Sequence, residues 1–342
     1  MNARLILSTA TLGALVFAAV PVIAADNCVW GITAHVTPEP NAPAHLTFHS
    51  AQGAEETWLF VYADDPGTDK MWSFNPWDGF DDTIPPSLCI HWKPALAVLD
   101  DVVYVMGGGS TCAESYLPGV GWEQLADLPI SATFASAEVL DGKIYVFGGF
   151  GANATHVYDP ATDSWTSGPP MAHYGGARAS AVVGDKIYAM GGAVNGSSDT
   201  GGNTWFEVFQ EGAGWTSLDP LPSPRNGARA APVRAKIYLT GGRTGASPPT
   251  VDNRVWVYDT NDAGLGWTEA QSMVQSREFH ALGTYGVGLY AVGGRGGDVY
   301  HSSVERLITS GDCCLTSDVD GDGDVDLGDL AELLAHYGET CP

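Results

Sequence analysis

Six aspartates near the C-terminus carry the most explicit chemistry in the chain. Residues 318–329 run Asp-Val-Asp-Gly-Asp-Gly-Asp-Val-Asp-Leu-Gly-Asp. Counted as a loop of twelve, Asp318, Asp320, Asp322, Asp324, Asp326 and Asp329 fall at positions 1, 3, 5, 7, 9 and 12, with Gly323 at 6 and Val325 at 8. A hard divalent cation that takes roughly six to eight oxygens needs this spacing, with a glycine at the sharp turn. Carboxylates packed so closely repel one another unless an ion sits among them. The expected ion is Ca2+. Position 7 ligates through its backbone carbonyl, so the Asp324 side chain is not required, and position 9 often ligates through water. A second candidate set is cationic. Arg225 and Arg277 each stand 16 residues before a Gly-Gly doublet, and Arg178 and His280 each stand 13 before one. Either these four line a channel and hold an anionic or sugar ligand, or they are repeat features that bond carbonyls and neighbouring units.

The aspartate loop needs a helix behind it. Leu327, Leu330, Leu333, Leu334 and Tyr337 recur at helical steps and Gly338 ends the run. Loop, helix, Asp at position 12 and flanking cysteines together resemble a dockerin repeat, an EF-hand-type calcium module. A dockerin carries two such loops and this chain has one. The resemblance therefore implies calcium binding, and either a cohesin-like partner or a plain sorting or surface-attachment tail.

The cationic set needs a repeating scaffold. Five segments share one pattern, Tyr three residues before Gly-Gly: Tyr104 with Gly107-Gly108, Tyr145 with Gly148-Gly149, Tyr188 with Gly191-Gly192, Tyr238 with Gly241-Gly242 and Tyr290 with Gly293-Gly294. The doublets start 41, 43, 50 and 52 residues apart, yet Trp122, Trp165, Trp215 and Trp267 each lie 26 before the next one. Fixed strands with elastic loops on one side give that result. Each unit reads as four short strands. Ala135–Leu140 is a first strand, the Tyr segment a second, His156–Pro160 or Val255–Asp259 a third, and Trp begins the fourth. Asp141-Gly142 and Gly184-Asp185 supply tight hairpin turns. One such sheet cannot bury both faces; a radial stack can.

Gly-Gly, Tyr-Asp and the spaced Trp are similar to kelch repeats over roughly residues 45–310, which implies an all-β kelch-type β-propeller. About 285 residues at a period near 48 make six blades, or five if the N-terminal strands only complete the last unit. Trp58–Tyr62 followed by Trp72 resembles strands three and four of a unit without its doublet, while Val304–Ile308 is a third strand without its Trp strand. The resemblance also implies that a ring could be an enzyme on carbohydrate. A galactose-oxidase-like copper site would draw on His91, His173, His280 and His301. A sialic-acid mutarotase- or epimerase-like site would draw on Arg178, Arg225 and Arg277.

Composition frames these readings. The chain has 342 residues, 43 of them Gly, and a net charge of −25 from 40 acids and 15 bases. That charge repels phosphate, which argues against nucleic acid. Eleven Trp, 13 Tyr and 11 Phe exclude a disordered chain. Arg4 before an apolar run to about Val22, with small residues to Ala25, reads as a signal peptide over 1–25. Export makes the six cysteines a disulfide set, for which we expect Cys89–Cys112, Cys314–Cys341 and Cys28–Cys313 among 15 possible connectivities. The expected organisation is signal peptide 1–25, N-terminal extension 26–44, propeller 45–311 and calcium-binding repeat 312–342. The expected function is an exported, monomeric binding module for protein or carbohydrate at a cell surface, with the tail for attachment or assembly.

Overall fold

Short alternating segments punctuated by glycine give short antiparallel strands. The computed structural model describes residues 31–35, 48–52, 59–63, 71–75, 79–81, 83–193, 201–245, 248–285 and 288–308. The first strand is β1 (Gly31–His35). Blade 1 is β2 (Phe48–Gln52), β3 (Leu59–Ala63), β4 (Met71–Asn75) and β5 (Gly79–Asp81). Blade 2 is β6 (Ala95–Leu99), β7 (Val102–Met106), β8 (Ala113–Leu117) and β9 (Gly121–Gln124). Blade 3 is β10 (Ala135–Leu140), β11 (Lys143–Gly148), β12 (Thr155–Asp159) and β13 (Ser164–Gly168). Blade 4 is β14 (Ala179–Val183), β15 (Lys186–Met190), β16 (Phe206–Gln210) and β17 (Gly214–Ser217). Blade 5 is β18 (Arg229–Val233), β19 (Lys236–Thr240), β20 (Val255–Asp259) and β21 (Trp267–Ala270). Then come β22 (Ala281–Tyr285), β23 (Gly288–Val292), the small hairpin β24 (Arg295–Gly296) and β25 (Val299–Tyr300), and β26 (Ser303–Ile308).

Five four-stranded sheets are thus continuous in sequence. The last sheet, blade 6, runs β22-β23-β26-β1, so its outermost strand comes from the other end of the chain. The innermost strands β2, β6, β10, β14, β18 and β22 lie each against the next, and β22 lies against β2. The ring is closed by hydrogen bonds from Gly31–His35, within the stretch read as an N-terminal extension. The N-terminal strands also depart from expectation in register. Leu59–Ala63 and Met71–Asn75 are strands two and three of their sheet, not three and four. The reason is visible in the sequence: Asp64-Asp65 stands where the other units carry Gly-Gly, so the anchor was missing.

The seams between blades form the core. Tyr104, Met106, Ile144 and Tyr158 fill the seam of blades 2 and 3; Tyr145, Phe147, Ile187 and Phe209 fill the next. Each repeat Trp sits opposite a third-strand aromatic. Tyr116–Trp122, Tyr158–Trp165, Phe209–Trp215 and Tyr258–Trp267 have ring centroids 5.0–5.4 Å apart. Such tilted contacts bury large area without a face-to-face clash.

The doublets join one blade to the next. Gly192 N donates to the Arg225 carbonyl at 2.7 Å, and Gly242 N to that of Arg277 at 2.7 Å. Gly108 to Ala132 and Gly149 to Gly175 repeat the bond. All four acceptors stand 16 residues before the next doublet. A Cβ on Gly191 would come within 2.5 Å of the Arg225 oxygen, and its φ is +65°. Only glycine accepts both conditions.

Candidate functional site

The predicted cations lie at or just before the starts of the innermost strands, and carboxylates meet three of them, Glu207 and Glu305 buried and Asp252 partly so. Arg178 reaches Glu207 on β16 at 2.8 Å and the His173 carbonyl at 2.9 Å. Arg225 reaches Asp252 at 2.7 Å, and Asp252 also takes Arg254 at 2.6 Å. Arg277 holds Glu305 on β26 at 2.9 Å, the Ser303 carbonyl and the Gln275 amide oxygen. The side chains of Arg225 and Arg277 are 0% exposed. Burial pulls all three guanidiniums below their ordinary range and their carboxylates oppose it. His91 joins the set: Nε2 lies 2.7 Å from Glu114 on β8 and Nδ1 2.6 Å from the Gly107 carbonyl. His280 is fully buried, with Nε2 2.8 Å from the Thr240 hydroxyl, and burial holds it well below the usual histidine range. The geometry therefore assigns these groups to holding loops against blades.

The carboxylates follow a rule inside the repeat. Glu114, Glu207 and Glu305 each accept the backbone N–H standing 19 residues before their doublet, from Leu88, Ala172 and Val274. Blades 3 and 5 have Pro129 and Pro222 there, and their third strands carry His156 and Trp256 instead of Glu. Proline offers no N–H, so a carboxylate would lose its donor. Spacing within the sequence contained this signal, but only the ion pairs make it readable.

Of the other sequence-predicted residues, Cys89 and Cys112 form the expected disulfide. Cys89, His91 and Cys112 cluster, yet the sulfurs are bonded to each other. Asp318, Asp320, Asp322, Asp324, Asp326 and Asp329, the signal peptide and Cys28, Cys313, Cys314 and Cys341 lie outside the described residues.

The inner strands β6, β10, β14, β18 and β22 line a half-open cavity of about 380 Å³ on the ring axis. One end is stopped by Phe134, Ala177 and Phe279, which pack together. Lys93 Nζ lies 4.1 Å from the Phe134 ring centroid and 5.2 Å from that of Phe279. These residues sit on a belt of backbone bonds running from blade to blade. Phe134 N donates to Lys93 O, Ala177 N to Phe134 O, Gly227 N to Ala177 O and Phe279 N to Gly227 O, at 2.7–3.3 Å. All five have positive φ, from 50° to 64°. That cost recurs at one repeat position and yields a closed axial end.

Most of the cavity wall is Ala, Val, Leu and Pro, with the hydroxyls of Ser136, Ser180 and Thr284. Among the described residues of the wall, Glu138 is the one carboxylate, and Arg178 and Arg229 are its cations. Burial raises it to about 7, opposed by a hydrogen bond from Ser180 across the blade seam. The corresponding residues, ten before each doublet, are Ala97, Ala181, Ala231 and Gly283. Sequence reading passed over Glu138 because a Glu in an alternating strand reads as a solvent-facing residue.

The loops at the doublet end carry an exposed apolar surface. Trp92, Phe150 and Tyr174 are 43%, 60% and 62% exposed, and Leu88, Ile90 and Ile130 are exposed with them. These six belong to the loops of the consecutive blades 2, 3 and 4.

The Kelch motif matches residues 131–172, which contain all four strands of blade 3. Kelch-like protein terF of Aspergillus terreus is 35% identical over 161 residues, 39% of this chain and 34% of that protein. Kelch repeat and BTB domain-containing protein A55 of vaccinia virus is 34% identical over 146 residues, 38% of this chain and 25% of that protein. The chain thus spans about a third or less of the length of these relatives. The solved structure of YjhT superposes with a TM-score of 0.65 at 15% identity, covering 81% of this chain and 98% of that one, a likeness of fold alone. The class is a kelch-type β-propeller. Blade 3 carries its motif in full.

Proposed function

We propose that this chain is an exported interaction module that binds a protein or carbohydrate through the doublet-end loops. The observation that carries the reading is the apolar surface of Trp92, Phe150 and Tyr174 on adjacent blades. Large exposed aromatics grouped on one face mark a binding surface, whereas scattered ones do not. Aromatic rings suit either partner class, since they contact protein side chains and sugar faces alike. The buried arginines favour a binding role over a cationic active site, because their charges are already spent on carboxylates. The test is a protein and glycan array probed with the mature chain and with the W92A/F150A/Y174A variant. Capture by the parent and not by the folded variant supports the reading. Equal capture by both overturns it.

The tail belongs to the same proposal. Its carboxylate spacing supports Ca2+ binding, for attachment or assembly at a surface. Calorimetric titration of Ca2+ into the mature chain should show one site, lost in Asp318→Ala and in Asp322→Ala. No heat from the parent chain would remove this part.

A further inference from the structure

We infer that the axial cavity is a second binding site, for a primary ammonium on a slim apolar body, with Glu138 as its counter-ion. Four other inner strands place Ala or Gly at this position, and those residues pack the seams without polar groups. A carboxylate here is not needed by the fold, and enclosing one costs stability. Blade 3 also lacks a buried acid–base pair among the described residues: Ala132 stands where blades 2 and 6 have His91 and Arg277, Ala135 stands where blade 4 has Arg178, and His156 stands where those blades carry Glu. Its polar residues face the axis instead: Ser136 Oγ donates to the Arg178 carbonyl at 3.1 Å and Glu138 takes the Ser180 hydroxyl.

Among the described residues, Glu138 forms no ion pair. β6 and β22 contribute no charged residue to the wall among those described. At the start of β14, Arg178 is committed to Glu207. Arg229 on β18 lines the same wall and donates to the Ala228 carbonyl at 3.2 Å. His280, before β22, is kept neutral by burial. Tyr145 on β11 and Tyr188 on β15 are raised above their ordinary range and stay protonated. Lys143 and Lys186 begin the same two strands, and Lys93 is stacked at the closed end. In a chain of net charge −25, a channel carboxylate that forms no ion pair among the described residues favours a cationic guest. An ammonium offers three donors, which Glu138, Ser180 and Ser136 can accept. The apolar wall then takes a short aliphatic body.

This site is distinct from the loop face, and its test does not depend on that face. The probes are n-hexylammonium, 1-hexanol and hexanoate, titrated calorimetrically into the mature chain at pH 6 and pH 8. Hexylammonium should bind at least about tenfold more tightly than hexanol, and hexanoate most weakly. Because Glu138 must be ionised, affinity should rise about tenfold from pH 6 to pH 8 while the amine stays charged. Glu138→Ala restores the residue type of the neighbouring blades and should fold; it should lose the preference for ammonium and the pH dependence together. Absence of hexylammonium binding to the folded parent, equal affinity for hexanol, or undiminished binding by Glu138→Ala would each overturn the inference.

Discussion

Glu138 and the buried arginines show how the same kind of group takes opposite roles according to what faces it. Arg277 is satisfied on every side by Glu305, Ser303 and Gln275, so it fastens a loop. Replacing Glu305 with Ala leaves that cation enclosed and unpaired, and should cost about 3–5 kcal/mol by urea denaturation. Among the described residues Glu138 is bonded to Ser180 alone, and burial raises it to about 7 against that bond. The sign of its effect on stability follows. An acid whose folded value lies above its unfolded value binds more protons when folded, so its stabilising share is present at low pH and fades as pH rises from about 4 to 7. Thermal melting of Glu138→Gln against the parent should therefore show little difference at pH 4 and a higher midpoint for the variant at pH 8. A constant difference across that range would mean that Glu138 is not enclosed. Neither role was legible from the residues alone. An arginine 16 residues before a doublet looks the same whether its carboxylate lies near or not, and Glu305 stands 28 residues from Arg277.

At the scale of the element, the doublet decides where one blade meets the next. Gly191→Ala puts a methyl against the Arg225 carbonyl at a left-handed position, and should cost on the order of 2–3 kcal/mol. Gly184, in the β14–β15 turn, has φ +62° but open space around its Cβ direction; its Ala variant should cost only about 1 kcal/mol. Denaturation midpoints of the two variants make the comparison. If they cost the same, the blade-to-blade contact contributes nothing. Elements anchored by doublet, Tyr and Trp were legible in sequence, since those residues fix register at three places in each unit. Strand β10 is found at Ala135–Leu140 and β20 at Val255–Asp259, as read. Blade 1 was misread by one strand because Asp64-Asp65 removes its anchor, and β1 has no repeat residue to mark it.

At the scale of the molecule, closure rests on one short strand. β26 pairs with β23 on one side and β1 on the other. Removing residues 26–35 uncovers the edge of β26, an unpaired row of backbone groups. The truncated chain should melt lower than the mature chain and associate as concentration rises in size-exclusion chromatography. An unchanged midpoint and a constant elution volume would show that the ring holds without β1. The closed ring also divides labour between its surfaces. The axis is stopped at one end by Phe134, Phe279 and the backbone belt, and the loops at that end carry the exposed aromatics.

That division leads to the decisive measurement: hydrogen–deuterium exchange of the mature chain with and without the protein or glycan that the array captures. The account predicts protection in the loops at 88–92, 130–134, 150–152 and 173–176, with the hairpin turns at 141–142 and 184–185 unchanged. Protection confined to those turns, with the doublet-end loops exchanging as before, would contradict it.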